Sequence, residues 1–222
     1  MSTPRPVNQL ARAGGAILAA ATAAVDAVRT AEKPLHPRGE VWEATLERTG
    51  HPGPPTGVDW IDEPGTDPAL ARVSTAIGLP TGWPDFQGLA LRVDVEHGWS
   101  DLLLASTGSG ALTRFLLRPA RSPHSPALTT LMPYRGPHGP LVLGARSTGP
   151  DTYAVAWASA RGPWRTFATL QLLRPAPQEI SFDPLRFPPP GLDNYRWTAR
   201  LREPAYRSAQ DGRRAPDAGA PD

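Results

Sequence analysis

The chain has 222 residues, no cysteine and a formal net charge of +2, with acidic and basic residues interspersed. That length buries a core without covalent staples. The missing thiols exclude a disulfide framework, a thiolate nucleophile, an iron–sulfur cluster and Cys-ligated zinc or haem, and the balanced charge argues against a dedicated nucleic-acid binder.

The most apolar N-terminal stretch, Ala13 to Val28, is shorter than the ~20 residues of a bilayer span and is interrupted by Asp26. It has no leucine-rich segment leading to a cleavage site. The reading is an alanine-rich helix in an N-terminal arm, residues 1–34, no membrane span, and the cytoplasm as location. With 28 prolines and 21 glycines, long helices elsewhere must be few. Lys33 is the only lysine, which reads as the codon usage of a GC-rich genome.

After Pro34 the texture becomes strand-like. Glu40–Arg48 leads to a loop rich in proline and glycine, then to Val58–Ile61. Ala71–Thr75, Gly88–Val95, Asp101–Ser106, Leu112–Leu117, Leu128–Pro133, Leu141–Arg146, Tyr153–Ala158 and Arg165–Leu173 follow. Each is short and bounded by Gly, Pro, Asp or Ser, the pattern of an antiparallel meander. Closing such a meander removes its edges, and a barrel of about eight strands can hold one ligand in its mouth. The expected architecture is α+β: a barrel over residues 35–191 with the N-terminal helix, and a short helical segment over 192–207. The tail from 208 to 222 lacks apolar periodicity and reads as mostly disordered.

Few constellations carry chemistry. His51, His97 and His138 adjoin Gly or Pro in turn-like contexts, and His124 lies between prolines. His36 stands instead where the N-terminal arm meets the first strand. No HxH, HxxxH or HExxH occurs, and the acidic run from Asp59 to Glu63 lacks an EF-hand pattern. The run Ser106 to Gly110 lacks the P-loop lysine and reads as a β-turn. There is no GxSxG elbow. The seven tryptophans are scattered and read as core or rim, several of them available to line an apolar cavity.

Several short segments, taken in order, resemble the haem-dependent catalase superfamily. His36-Pro37-Arg38-Gly39 is similar to its His-x-Lys-Gly segment, and Ala71-Arg72-Val73-Ser74 to its Val-Arg-Phe-Ser strand. Asp85 to Arg92 is similar to Asp-Pro-Arg-Gly-Phe-Ala-Val-Lys; Asp101-Leu102 with Ala105-Ser106-Thr107 is similar to Asp-Leu and Asn-Asn-Thr. Ile180 to Pro184, Pro189-Pro190-Gly191 and Arg202-x-x-x-Tyr206 with Arg213 resemble the proximal segment and its approach. The resemblance runs from about Leu35 to Arg213 at low identity.

It implies haem b, with Tyr206 as the axial ligand to iron and Arg202 one helical turn away favouring its phenolate. It further implies Arg72, Arg213 and Lys33 on the propionates, His36 as acid and base, and Ser74 orienting that histidine. Ser106 stands at the position of the distal asparagine, where it shortens the peroxide-orienting donor. Pro204 lies between Arg202 and Tyr206, where an interior proline kinks a helix. The wrapping segment and helical domain of large catalases have no counterpart here, so the pocket is expected to be open to water or closed by a partner subunit in a homo-oligomer.

The function so implied is action on hydrogen peroxide or organic peroxides, with low catalase activity. The alternatives are a haem-free barrel of this fold binding another apolar or amphipathic small molecule, and a hydrolase of phosphodiesterase type. The latter has no metal or phosphate constellation to support it.

Overall fold

The structure is a computed structural model that describes residues 38–50, 53–77, 83–122, 124 and 126–197. Ten strands form one antiparallel sheet: β1 (Arg38–Thr49), β2 (Pro64–Thr75), β3 (Gln87–Val95), β4 (Gly98–Thr107), β5 (Ala127–Thr129), β6 (Tyr134–Gly136), β7 (Gly139–Gly149), β8 (Thr152–Ser159), β9 (Arg165–Pro175) and β10 (Asp193–Asn194). The β7–β8 pairing closes eight of them into a barrel in the cyclic order β1-β2-β3-β4-β5-β7-β8-β9, a meander, with β6 and β10 attached beside β7.

Turn chemistry explains the tight corners. The β3–β4 and β6–β7 hairpins close at Gly98 and Gly139, whose φ values of 126° and 123° are open only to glycine. His97 and His138 therefore sit at hairpin tips.

Directly opposed residues of paired strands share a face, and successive residues alternate. The inner face carries Leu46, Ala71, Leu91, Leu102, Leu128, Leu143, Val155 and Leu170, all buried in one cluster with Phe167 and Tyr153. Each such leucine contributes about 1.5–3 kcal/mol by leaving water. One end of this core is plugged by α1 (Asp59–Asp62), whose Trp60 packs edge-on to Phe167 with ring centroids 5.4 Å apart. Trp60 Nε1 donates to Asp67 (3.1 Å), and Arg48 holds the same carboxylate through Nε (2.7 Å) and Nη2 (3.1 Å).

The α+β expectation is overturned. The described chain is an all-β barrel whose named helical elements are the single turn α1 and a 3-10 turn, Thr113–Phe115. The physical reason is that the sheet buries its own apolar face by closing on itself, so it needs no helix layer. The helix expected in the N-terminal arm lies outside the described residues. Of the expected helical segment over 192–207, Asp193–Asn194 is a strand paired with β6, Arg196 and Trp197 are helical, and residues 198–207 lie outside the described residues.

Two expected strands are also corrected. Val58–Ile61 instead leads into α1, where the Asp62 N–H donates to the Val58 carbonyl at 2.9 Å and the Glu63 N–H to the Asp59 carbonyl at 2.8 Å. Leu112–Leu117 contains the 3-10 turn, which buries Arg114 and Phe115 together. Among the described residues no helix is long and apolar enough to cross a membrane.

Candidate functional site

The outer face of β1–β4 carries an unusual run of small residues. Gly39 opposes Ser74, Ser74 opposes Gly88, and Gly88 opposes Ala105, forming one row across four strands. In the next row Val41, Arg72, Ala90 and Leu103 oppose one another in turn. Gly88 and Ala90 are buried although they face outward, so β3 is covered on both sides from Gln87 to Leu91. The result is a low shelf with one guanidinium on it.

Gly39 has no room for a side chain. A Cβ there would come within 2.7 Å of Arg72 Cζ, 2.8 Å of Arg72 Nη2 and 2.8 Å of Ser74 Cβ. The Arg72 guanidinium therefore lies across β1 beside the buried Ser74, which stands two residues along the same strand and on the same face. On its other side the row continues to Thr129 and Gly144. There the Trp164 ring covers it, 2.9 Å from where a Cβ on Gly144 would stand.

Ser106 is not on this shelf. It follows Ala105 and shares the inner face with Gln87 and Leu128; it is fully buried, and its hydroxyl accepts from the Gln87 N–H at 3.0 Å. The β4 residue in the row of Ser74, across Gly88, is Ala105, which has no side-chain donor. His36, Lys33, Arg202, Pro204, Tyr206 and Arg213 lie outside the described residues.

The acidic run is accounted for without a cation. Burial pushes the Asp62 carboxyl up, but hydrogen bonds from the Thr56 N–H and hydroxyl and from the Gly57 and Val58 N–H groups outweigh it and hold it below the ordinary carboxylate range. Among the described residues no group of three or more His, Asp or Glu is placed to hold a metal ion.

A network that the spacing alone does not announce joins three of the catalase-like segments. Asp101, fully buried on β4, accepts from Arg92 Nε (2.8 Å), Arg92 Nη2 (2.7 Å) and the Asp183 N–H (2.6 Å). Arg92 also donates to the Ser181 carbonyl at 2.8 Å and lies over the rings of Trp99 and Phe182. The segment from Ser181 to Phe187 is thereby strapped to the outer face of β3 and β4, next to the shelf.

The fit to a haem can be tested on these residues. Arg72 suits a propionate and Ser74 supplies a buried hydroxyl, while Gly88 and Ala90 of the small row are already buried. The shelf offers no amide donor from β4. Among the described residues Arg72 thus suits the carboxylate edge of the group.

No family model matches the chain, and no curated protein matches it by sequence. Among solved structures it is similar to a bacterial catalase, with a TM-score of 0.58 and 12% sequence identity. The match covers 82% of this chain and 57% of that one, so the chain spans little more than half the length of the catalase it resembles. The barrel described above has a catalase-like fold.

Proposed function

We propose that the chain is a catalase-related haem protein that acts on hydrogen peroxide or organic peroxides, with weak dismutase activity. The observation that carries this reading is the outer-face shelf with Arg72 folded over Gly39 beside Ser74, on a barrel of catalase-like fold. Haem b, when bound, supplies the redox chemistry at iron. Tyr206 holds the iron as a phenolate, and Arg202 favours that charged form. Arg72, Arg213 and Lys33 take the propionates. With the group bound, His36 would exchange a proton with peroxide at an imidazole nitrogen, and Ser74 would set the ring's orientation. Ala105 leaves peroxide without a second donor, which is why dismutation is slow.

The test is an absorption scan from about 350 to 650 nm on protein expressed with a haem supply. A Soret band that disappears in Tyr206→Phe is the expected result. Colourless protein that refuses added haem defeats the proposal. Ala105 favours a second reading, a haem-free barrel binding another flat apolar molecule on the same shelf. In that case Tyr206→Phe and His36→Ala leave the ligand's affinity unchanged.

A further inference from the structure

The shelf lies on the outside of the barrel; a second concavity sits at its rim, where the loop before α1 meets the start of β7, the end of β8 and the start of β9. Together they enclose a cavity of about 300 Å³. Trp157 and Arg165 oppose each other in the β8–β9 register, and both line it. Pro54, Pro55, Pro140 and Pro163 supply walls from three separate segments of the chain, and His138, at the tip of the β6–β7 hairpin, borders it.

The charge in this cavity has one sign. Its lining residues include a guanidinium and an imidazole but no carboxylate. Arg165 is half-buried, its Cζ lying 5.4 Å from the centre of the Trp157 ring. The ion pairs formed among the described residues engage Arg48, Arg92, Arg135 and Arg174 instead. Stacking over an indole positions a guanidinium while leaving its fork of N–H donors in the ring's own plane free to point elsewhere. A half-buried cation in proline-walled surroundings has lost part of its hydration and is stabilised by an anion.

The walls are fixed before any ligand arrives. Asp62 Oδ1 accepts from both the Thr56 N–H and its hydroxyl at 3.0 Å, and that hydroxyl accepts from the Val58 N–H at 3.1 Å, which sets the loop before α1. On the opposite wall Arg114 donates to the Ser159 carbonyl at 3.2 Å and to the Gly162 carbonyl at 2.8 Å, clamping the β8–β9 turn from outside the cavity. The prolines restrict both segments further. Such preorganisation cuts the ordering cost of binding.

From this geometry we infer that the cavity binds a small aromatic carboxylic acid, its carboxylate on the Arg165 fork and its ring against Trp157 and the proline walls. Two coplanar carboxylate oxygens match the two parallel N–H groups of a single guanidinium. A flat ring suits an indole, on which it gains stacking beyond the area it buries. The volume stands at the lower end of small-molecule sites, room for one or two rings and a short acidic arm. The inference stands independently of haem.

The test is calorimetric titration of the full chain with phenylacetate, with acetate (the acid without the ring) and with phenethylamine (the ring with the opposite charge). Phenylacetate should bind at least about tenfold more tightly than either. Arg165→Gln should weaken it by about tenfold or more, while Arg161→Gln, an exposed arginine outside the cavity, leaves it unchanged. In the unmutated protein phenylacetate should slow hydrogen exchange of the amides of Gly139, Leu141 and Arg165 and not those of β3. Absence of binding at about 10 mM, equal affinity for the three probes, unchanged affinity in a folded Arg165→Gln protein, or exchange that does not slow at those amides would each overturn the inference.

Discussion

Replacing Asp101 by asparagine tests whether the strap over β3 and β4 is held as the geometry says. The carboxylate is fully buried and receives three donors: two from Arg92 at 2.8 and 2.7 Å and the Asp183 N–H at 2.6 Å. Asparagine keeps the shape but carries an NH2 on one branch. In its better orientation one of the three bonds is lost outright, and the other two become bonds to a neutral acceptor, about half as strong. At ~1.5–3 kcal/mol for a bond to a charged group, the loss comes to about 3–6 kcal/mol. For a chain of this size that lowers Tm by roughly 6–24 °C. Urea unfolding measures the free energy, and hydrogen exchange of the amides from Phe182 to Phe187 locates it, since those should exchange faster than the barrel strands. A loss under about 1 kcal/mol, or an unchanged exchange pattern over that segment, refutes the account. Arg92→Met combined with Asp101→Asn should cost less than the two single changes added together, because both remove the same bonds.

Arg114 is buried and donates only to carbonyls, those of Gly110 (3.2 Å), Ser159 (3.2 Å) and Gly162 (2.8 Å), with Trp164 beneath it at 4.7 Å. Arg114→Met should cost about 2–4 kcal/mol and shift the tryptophan emission, and an unchanged urea midpoint would count against that bridging role. Burial, then the nearby Asp151, raises the Tyr153 phenol above 10.0. Its contribution is therefore complete below the unfolded pKa near 10 and is lost as pH climbs through the higher folded value; Tyr153→Phe should flatten the alkaline fall in urea midpoint, and parallel curves for the two proteins would contradict this. If the haem reading holds, Ala105→Asn puts a donor on the shelf and should raise peroxide turnover of the loaded protein at least about tenfold, an increase that stopped-flow assays would detect or rule out.

The strands were legible where apolar residues alternate between turn residues, as in Leu89, Leu91 and Val93 on β3. The start of β2 was hidden by Pro64 and Pro68, residues that an interior strand does not tolerate. They are accommodated because residues 64–68 pair with β1 alone, and β3 joins only from Ala69 onward. The 3-10 turn escaped because Thr113 and Arg114 satisfy backbone groups around Gly110, the hydroxyl accepting from its N–H at 3.0 Å and Nε donating to its carbonyl. That pairing leaves no periodic trace in the apolar pattern. Likewise, Thr56 and Asp62 clasp each other across α1 with no capping box to announce it. The Arg92–Asp101–Asp183 network spans 82 residues between the two aspartates, a distance over which one sequence carries no contact information.

Site residues on a β-sheet obey a parity that local motifs do not display. Arg72 and Ser74 could be assigned to one face because they stand two apart in a single strand. Relating Ser74 to β4 requires the registers of two strand pairs, and one residue of slip exchanges the faces. Leu102, Leu103 and Leu104 are apolar in succession, so nothing in β4 itself marks which of Ala105 and Ser106 looks outward. The register through Gly88 decides for Ala105. With the inner face filled by the leucine cluster and one end stopped by Trp60, the barrel's interior has no room for a flat ligand. The polar groups of the outer shelf are concentrated at its Arg72 and Ser74 end. Any peroxide chemistry there must draw its proton handling from that side alone, which ties the weak dismutation proposed above to a single strand register.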